Sequence, residues 1–531
     1  MKKRFLSVCL AMISTLSLAF SGCSMLGTGN GGNDSSEDLQ LNGKVVPDYS
    51  DSKLQFDFYG YSSASNGEWS IDGTKYTAGE DFRTVERIKE YKDAGMSIYF
   101  PQHQGAMREG VDFETSDAKK ALDDALEAGI DKVILNDLRI QSLSKPAKDK
   151  ANGLIGEDKQ FESEEALDAK IAEWMAPYRD HEAFYGIMLG DEPFYYHTEN
   201  YGQIYRAVKR VCPEAFIQYN LNPITAGTGT QKVDGKEMRN IDVRFPALVE
   251  GDEGYGAPLN SDEELIARYK KYIRGFMDAT GAKYIQYDQY PMRSSEKLDE
   301  YYFLGLQVVA ELVKEYDAEF LFVTQTYGQT DGVTPRMLSQ EDLYWLNNGL
   351  VGFGIKQISY FTYWTKSDNN TEHFIDGNSF ITWYGERTNI YYWMKQIMAE
   401  EQKLAPTILN FEYQTSKIFM TQPTTFNSSY AMRTIETADF KVLKDVNVNK
   451  EVALVTELYD EATGNYMYMV QNIVDTIHKG SKAFQTTTVT FDQQYTHAVV
   501  FVKGEKTVKK LDNGTLTLKH KPGEATYIMP F

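Results

Sequence analysis

The chain has 531 residues, of which 76 are acidic and 55 are lysine or arginine, so its formal net charge is −21. A surface this acidic repels nucleic acid and anionic lipid head groups, which favours a neutral partner. The three cysteines, at positions 9, 23 and 212, are too few for a disulfide framework or a cysteine metal site. The sequence also lacks a Walker-type glycine loop and a Gly-x-Ser-x-Gly motif, so we expect no cofactor, no metal and no α/β-hydrolase chemistry.

The N-terminus has the order of an export signal. Three basic residues at positions 2–4 precede a mostly apolar run over residues 5–20, which is too short to span a membrane. The run ends in Phe20-Ser21-Gly22-Cys23, which resembles a bacterial lipobox. The resemblance implies a lipoprotein signal peptide over residues 1–23, a lipid on Cys23, and an extracytoplasmic protein anchored to the bacterial cell membrane. An ordinary secretory signal is the alternative.

Residues 24–50 follow as a stretch rich in glycine, asparagine and serine. This composition cannot bury a core, so it predicts a flexible linker. The rest of the chain, residues 51–531, is long enough for two domains or three.

Short apolar runs rich in β-forming residues alternate with segments of helical periodicity. Such continuous apolar runs are typical of parallel strands that are buried on both faces. We predict eight strands, over residues 54–60, 96–102, 132–138, 184–192, 216–222, 284–290, 320–326 and 358–364.

The connections between these elements have a direction. Helices lead into strands through short turns that contain Gly95, Gly129 and Gly281, each placed where a helix C-terminus favours glycine. The opposite connections, such as residues 139–162 and 223–260, are long. Short turns on one face and long loops on the other are expected of a (β/α)8 TIM barrel, which we place at residues 51–406. The alternative, a doubly wound open sheet, would more naturally carry a glycine-rich first turn.

After a predicted helix over residues 387–402, the pattern changes to alternating segments separated by turns such as Asp512-Asn513-Gly514. This alternation predicts antiparallel strands. We assign residues 407–531 to a C-terminal antiparallel β-sandwich domain.

The fourth predicted strand ends in Gly190-Asp191-Glu192-Pro193. A TIM barrel collects the carboxyl ends of its strands at the active-site face, so these acids are expected to face a pocket. Hydrolysis of a glycosidic bond requires a carboxylic acid that protonates the leaving oxygen, and burial near aromatic residues would keep Glu192 protonated. A carboxylate that only caps the next helix is the alternative.

The Glu-Pro pair at this strand end resembles the Asn-Glu-Pro motif of clan A glycoside hydrolases, which include the β-galactosidase-like barrels. The resemblance implies that Glu192 is the catalytic acid/base and that Asp191 takes the place of the asparagine that contacts the sugar. Aspartate in that place is a departure from the motif, and it makes Asp191 a third candidate catalytic residue. The resemblance extends over the predicted barrel and into the terminal β domain.

The second catalytic carboxylate is not where that family carries it. At the end of the seventh predicted strand, where clan A enzymes have a nucleophilic glutamate, this chain has Gln325, which is neither a nucleophile nor a base. Asp288, at the end of the sixth strand, is the nearest replacement as nucleophile or general base. A separation of about 5–5.5 Å between the carboxyls would imply retention, and about 6.5–9.5 Å would imply inversion. A role for Asp288 in binding only is the alternative.

Other polar and aromatic side chains at strand ends are candidates for sugar binding, because amides pair with hydroxyls and flat rings stack on sugars. They are Gln102, Asn136, Asn220, Asn222, Tyr290, Gln325 and Trp364. Two functions follow from these predictions: a glycoside hydrolase that cleaves oligo- or polysaccharide, or a non-catalytic glycan-binding surface lipoprotein on the same fold.

Overall fold

The structure is a computed structural model, and it describes residues 41, 43–61, 64, 68–71, 74–77, 80–145, 153–293, 297–328, 336–365, 379–421, 431–449, 451–475 and 484–531. The predicted signal peptide, with Cys23, lies outside the described residues, and so does most of the predicted linker. Lys44–Phe531 form one compact unit.

The fold is a mixed α/β structure followed by antiparallel strands. In the mixed part the strands are β1 (Asp57–Gly60), β2 (Glu68–Ile71), β3 (Thr74–Thr77), β4 (Ala106–Met107), β5 (Val133–Asp137), β6 (Phe184–Asp191), β7 (Phe216–Asn220), β8 (Thr230–Val233), β9 (Lys236–Arg239), β10 (Tyr284–Asp288), β11 (Glu319–Gln325) and β12 (Gln357–Phe361). The helices are α1 (Val85–Asp93), α2 (Asp117–Glu127), α3 (Leu138–Leu143), α4 (Glu164–Met175), α5 (Thr198–Val211), α6 (Asn240–Arg244), α7 (Asp262–Thr280), α8 (Tyr302–Glu315), α9 (Gln340–Gly352) and α10 (Asn389–Ile408).

Two parallel sheets carry the mixed part, with strand orders β1-β12-β11-β10 and β4-β5-β6-β7. Hydrogen bonds link the sheets on both sides. On one side the N–H of Leu221, the residue after β7, donates to the carbonyl of Gln286 within β10 at 2.9 Å. On the other side the Ser97 N–H donates to the Phe58 carbonyl at 2.9 Å, and the Tyr99 N–H donates to the Lys132 carbonyl at 2.8 Å. The strands of both sheets therefore run in the same direction and end on the same side.

The second predicted strand is the exception among the eight. Residues 96–102 form only an isolated parallel bridge between Tyr99 and Val133. Pro101 has no N–H to donate to a neighbouring strand, and the chain turns at once into the 3₁₀ helix Gln102–Gly105. The apolar run predicted a strand, but the proline ends the pairing after one bridge.

The helix ends follow local chemistry. Ser261 caps α7, because its side chain accepts a hydrogen bond from the Glu264 N–H at 3.1 Å, and Gly281 ends the helix in the left-handed conformation with φ of +67°. The last helix is longer than predicted, because α10 continues through Pro406 to Ile408. A proline in the last turn removes only one helical hydrogen bond, so packing of the helix overrides it.

The C-terminal part is all antiparallel. Its strands are β13 (Glu412–Met420), β14 (Leu443–Val448), β15 (Val452–Asp460), β16 (Asn465–Asn472), β17 (Gln485–Phe491), β18 (His497–Val502), β19 (Glu505–Lys510), β20 (Thr515–His520) and β21 (Ala525–Pro530). They form a sheet of order β13-β15-β16-β21-β18-β19 and a sheet of order β14-β17-β20. Tyr468 of the first sheet and Phe491 of the second are buried in one shared apolar core.

The β domain is packed closely against the mixed part. Gln471 on β16 donates to the carbonyl of Trp345 on α9 at 2.8 Å, and Trp345 is fully buried. Arg336 is also buried, and its Nη2 lies 2.7 Å from Asp342 and 3.2 Å from Asp475 of the β domain. The two parts therefore share a packed interface that contains a buried ion pair.

The chain joins this unit before the first strand. Tyr49, within the predicted linker, donates its hydroxyl to Asp460 Oδ2 at 2.8 Å and packs its ring on Phe411. The described helices include none with the length and apolar character that crossing a bilayer requires.

Candidate active site

The turn after β6 holds Glu192 in an unusual conformation. Its φ is +43°, which side chains with a Cβ rarely adopt, and its N–H donates to the Asn220 carbonyl at 2.7 Å. Gly190 is required just before it, because a Cβ there would meet the hydroxyl of Tyr201 on α5. Backbone strain of this kind is held only where the surroundings impose it, and it is concentrated at functional sites.

Two hydrogen bonds from buried side chains hold this turn in place. The Pro193 carbonyl accepts from Asn222 Nδ2 at 2.7 Å and from the Tyr272 hydroxyl at 2.8 Å. Both donors are buried. Asn222, predicted to bind substrate, thus uses its amide nitrogen within the protein, and its Oδ1 accepts from Arg244 at 3.2 Å.

Three carboxyl groups meet at the ends of β6 and β10, on either side of Asn220. Asn220 Nδ2 donates to Asp191 Oδ1 at 3.0 Å, and Asp191 is paired with Asn220 in the strand register. Asp288 is only 6% exposed. Burial raises the pKa of Asp288 well above its usual value, and the negative charges of Glu192 and Asp191 raise it further, against hydrogen bonds from Tyr290 and Asn220. Because the charges of Glu192 and Asp191 both act on Asp288, we call these three predicted catalytic residues the acid cluster.

Two carboxyls at this site, Glu192 and Asp288, have a raised pKa. Glu192 is the more accessible of them, with 41% of its side chain exposed. Partial burial raises the pKa of Glu192, and the charge of Asp191 adds to the rise. The positive charges of Arg244 and Lys145 act in the opposite direction. His197 stays neutral beside this turn, because burial lowers its pKa to about 4 and its Nδ1 accepts from the Phe194 N–H at 3.2 Å.

Two tyrosines near Asp288, Tyr290 and Tyr61, pack with phenylalanine rings. Tyr290 stacks on Phe361, with ring centroids 5.5 Å apart, and Tyr61 packs against both Phe361 and Phe100. Burial raises the pKa of the Tyr61 hydroxyl, and the charges of Asp191 and Asp288 contribute, so Tyr61 lies close to the acid cluster. Asp288 itself is buried, which favours its protonated form.

The remaining predicted binding residues are more deeply placed. Gln325 is buried, and its Oε1 accepts a hydrogen bond from the Met292 N–H at 2.8 Å. This hydrogen bond holds the loop after β10 against the end of β11. Trp364 is 3% exposed and stacks on Phe82 at 5.7 Å. Asn136 is fully buried at the end of β5, and Gln102 is 8% exposed with a φ of +48°.

Sequence reasoning missed Arg244, Lys145 and Tyr61 as members of the site. Arg244 lies in the long connection between β7 and α7, at the end of the short helix α6, and no motif marks it. Tyr61 directly follows β1, so the rule that selected the other strand-end residues also applies to it. Within the described ranges, no three histidine, cysteine, aspartate or glutamate side chains are grouped so as to hold a metal ion.

No known family model matches the chain, and no curated protein matches it. Among solved structures its neighbours are glycoside hydrolases of several families. A GH30 endoxylanase from Clostridium papyrosolvens C71 is 12% identical, covering 90% of this chain and 97% of that one, with a TM-score of 0.40. A family 5 glycoside hydrolase from Bacteroides vulgatus ATCC 8482 is 10% identical over 90% and 89% of the two chains, with a TM-score of 0.46. An Anoxybacillus alpha-amylase is 11% identical over 91% and 99%, with a TM-score of 0.44.

Proposed function

We propose that the protein is a glycoside hydrolase whose reaction takes place at the ends of β6 and β10. The observation that carries the proposal is the pair formed by Glu192 and Asp288, two carboxyls on either side of Asn220 whose pKa values are both raised, with the charge of Glu192 contributing to the rise at Asp288. Such a pair keeps a proton to a higher pH than free carboxyls do, and acid-catalysed cleavage of a glycosidic bond needs that proton.

Glu192 takes the role of general acid in this proposal, because it is the carboxyl that a substrate can reach. In the free protein the stronger rise in pKa at Asp288 favours the proton there. A sugar ring placed over Glu192 removes water from it, so its pKa rises further and it holds the proton when the substrate is bound.

Cleavage then transfers that proton to the glycosidic oxygen as the bond from this oxygen to the anomeric carbon breaks. Asp288, ionised, either forms the new bond to the anomeric carbon or takes a proton from an attacking water. Asp191 and Asn220 are placed to hold sugar hydroxyls beside the two acids, and Tyr290 supplies a ring at the same wall.

The scaffold that we propose for this reaction is a closed (β/α)8 barrel. We propose that the two parallel sheets form one such barrel, since the hydrogen bonds at Leu221 and at Ser97 join them on both sides. The β domain completes the chain as a sandwich packed on α9 and α10.

The test of the reaction is a screen of aryl glycosides and polysaccharides with the wild-type protein and with Glu192→Gln. We expect loss of at least 100-fold in turnover, the usual range for removal of a general acid. Glu199→Gln is the matched control, since Glu199 is an exposed glutamate on the following helix. Equal turnover of Glu192→Gln and wild type would remove Glu192 from the mechanism.

A non-catalytic glycan-binding protein is the second candidate function. Gln325 favours this second function, because its amide stands where clan A glycoside hydrolases carry their nucleophile. Its Oε1 already accepts a hydrogen bond from the Met292 N–H. Calorimetry that detects saturable glycan binding, with no product after long incubation, would favour this function over hydrolysis.

We also propose that the protein is exported and lipid-anchored through Cys23 to the bacterial cell membrane. The basic residues, the apolar run and the sequence Phe20-Ser21-Gly22-Cys23 support this location. Detergent partitioning and mass spectrometry of the mature N-terminus test it, with Cys23→Ala as the variant that should lose the lipid.

A further inference from the structure

Arg244 is held against the proposed catalytic turn. It is the last residue of α6, and its guanidinium lies 4.5 Å from the ring centroid of Phe194. Its Nη1 donates to Asn222 Oδ1 at 3.2 Å and lies 3.8 Å from Glu192 Oε2. Among the described residues its polar contacts use only Nη1, and a quarter of the side chain is exposed. Further N–H donors of a planar fork therefore remain for a ligand.

Two arginines and their hydrogen-bond and ion-pair partners fix the position of α6. Arg268, which is 4% exposed, donates to the carbonyls of Ile241 and Phe245 at 2.9 and 3.0 Å. Arg239 pairs with both Asp242 and Glu264. A helix of five residues has no stability of its own, so these contacts define its position. Arg244 is consequently preorganised at the site before any ligand binds.

A second cation reinforces the first. Lys145 is exposed two residues past the end of α3, and its positive charge lowers the pKa of both Glu192 and His197. Cations beside a general acid lower its pKa and work against its function. This chain of net charge −21 nevertheless has two cations, Arg244 and Lys145, that act on its proposed general acid. A negative charge that the substrate brings explains them better.

We propose that Arg244, assisted by Lys145, binds an anionic group of the substrate, either a carboxylate or a sulfate ester, next to the bond that is cleaved. This inference rests on the proposed function at the same site and names its substrate class as acidic oligosaccharide. A guanidinium matches the two oxygens of a carboxylate or sulfate, and the Phe194 face fixes its plane. The acidic surface does not prevent this binding, since salt screens exposed charges beyond about 8 Å at physiological ionic strength.

Matched pairs of acidic and neutral sugars test the proposal by calorimetry. The probes are glucuronate with glucose, galacturonate with galactose, and galactose 6-sulfate as the sulfate arm. We expect at least one acidic probe to bind wild type about 10- to 100-fold tighter than its neutral partner, the range for a charge-assisted hydrogen bond. Glucuronate or galacturonate binding without galactose 6-sulfate binding would identify the group as a carboxylate, and the reverse would identify a sulfate.

Two variants and one control separate recognition from folding. Arg244→Gln should lose the preference for the acidic probe, and Arg244→Lys should retain part of it, because the charge stays and the fork is lost. Arg210→Gln, at a surface pair with Asp168, should behave as wild type. The ratio of acidic to neutral affinity is read in each folded sample, so a partly unfolded variant does not mimic the effect. Raising the salt from 50 to 500 mM should weaken acidic binding only.

The outcomes distinguish this inference from the proposed function. Suppose that wild type cleaves neutral aryl glycosides, and that Arg244→Gln matches wild type in activity on neutral and on acidic substrates. The proposed hydrolase function would then stand, and the role of Arg244 would be overturned. Arg244-dependent binding of the acidic probes, with no cleavage of any acidic or neutral aryl glycoside or polysaccharide, would support the inference and overturn hydrolysis. Absence of binding to every acidic probe would overturn the inference.

Discussion

Replacing Glu401 with glutamine should stabilise the protein at neutral pH, and the gain should grow as the pH rises. Glu401 lies on α10 and faces a cavity of about 220 Å³ between α9, α10 and the β domain. It is 7% exposed, and neither carboxyl oxygen has a hydrogen-bond partner within the described residues. Burial raises the pKa of Glu401 well above its usual value, and the charge of Glu400 adds to the rise.

The size of the effect follows from the difference in bound protons. In the unfolded chain a glutamate ionises near pH 4.3, whereas native Glu401 keeps its proton to a higher pH. The stabilising contribution is fully present below the unfolded pKa and is lost as the pH rises through the native one. Across that window the free energy of unfolding of wild type falls by up to about 1.4 kcal/mol per pH unit. Glutamine does not titrate, so the curves of variant and wild type coincide near pH 4 and diverge above it.

Thermal and urea unfolding between pH 4 and 9 measure this divergence. Glu400→Gln is the matched control, because the Glu400 carboxylate accepts hydrogen bonds from the Tyr344 hydroxyl at 2.9 Å and from Gln396 at 2.8 Å. Losing these partners should leave that variant no more stable than wild type. Parallel pH profiles for Glu401→Gln and wild type would refute the reasoning, since they would mean that the native carboxylate is ionised and paired.

Three further changes test the site and the domain interface. Asp288→Asn should abolish turnover yet raise stability at pH 8 by about 1–3 kcal/mol, because it removes a buried acid whose pKa is raised; calorimetry and the activity screen check both effects. Asn222→Ala should cost about 1–3 kcal/mol, read as the urea midpoint, because it leaves the Pro193 carbonyl and Arg244 short of a partner. Trp345→Ala should cost about 3–5 kcal/mol in the same assay, since Trp345 is buried against Tyr302 and Phe303 under the β domain; a loss below 1 kcal/mol would contradict this packing.

Local patterns were sufficient for most elements of the fold. Alternation of apolar runs with helical periods predicted seven strands of the parallel sheets, and Gly281 predicted where α7 ends. Prediction failed at two prolines, one that ends a predicted strand and one that a helix passes through. Pro101 interrupts the second strand, and α10 passes through Pro406 because its buried face packs along the whole helix.

The candidate site divides in the same way. The rule that strand ends meet at one face brought Asp191, Glu192 and Asp288 to notice, and their charges do act on one another. The same rule selected Asn222 and Trp364, which the structure uses to hold a turn and to stack on Phe82. The pattern thus predicts correctly which polar and aromatic residues stand at strand ends, but it does not predict which groups they contact.

The sequence by itself determined the order of the elements and the residues that stand at strand ends, since both depend on neighbours along the chain. Only the tertiary structure decided which carboxyls hold a proton, which amides are already engaged, and that Arg244 reaches the turn from a connection of its own. Desolvation and Coulomb interaction depend on distance through space, and residues such as Glu192 and Asp288 are brought within reach only by folding.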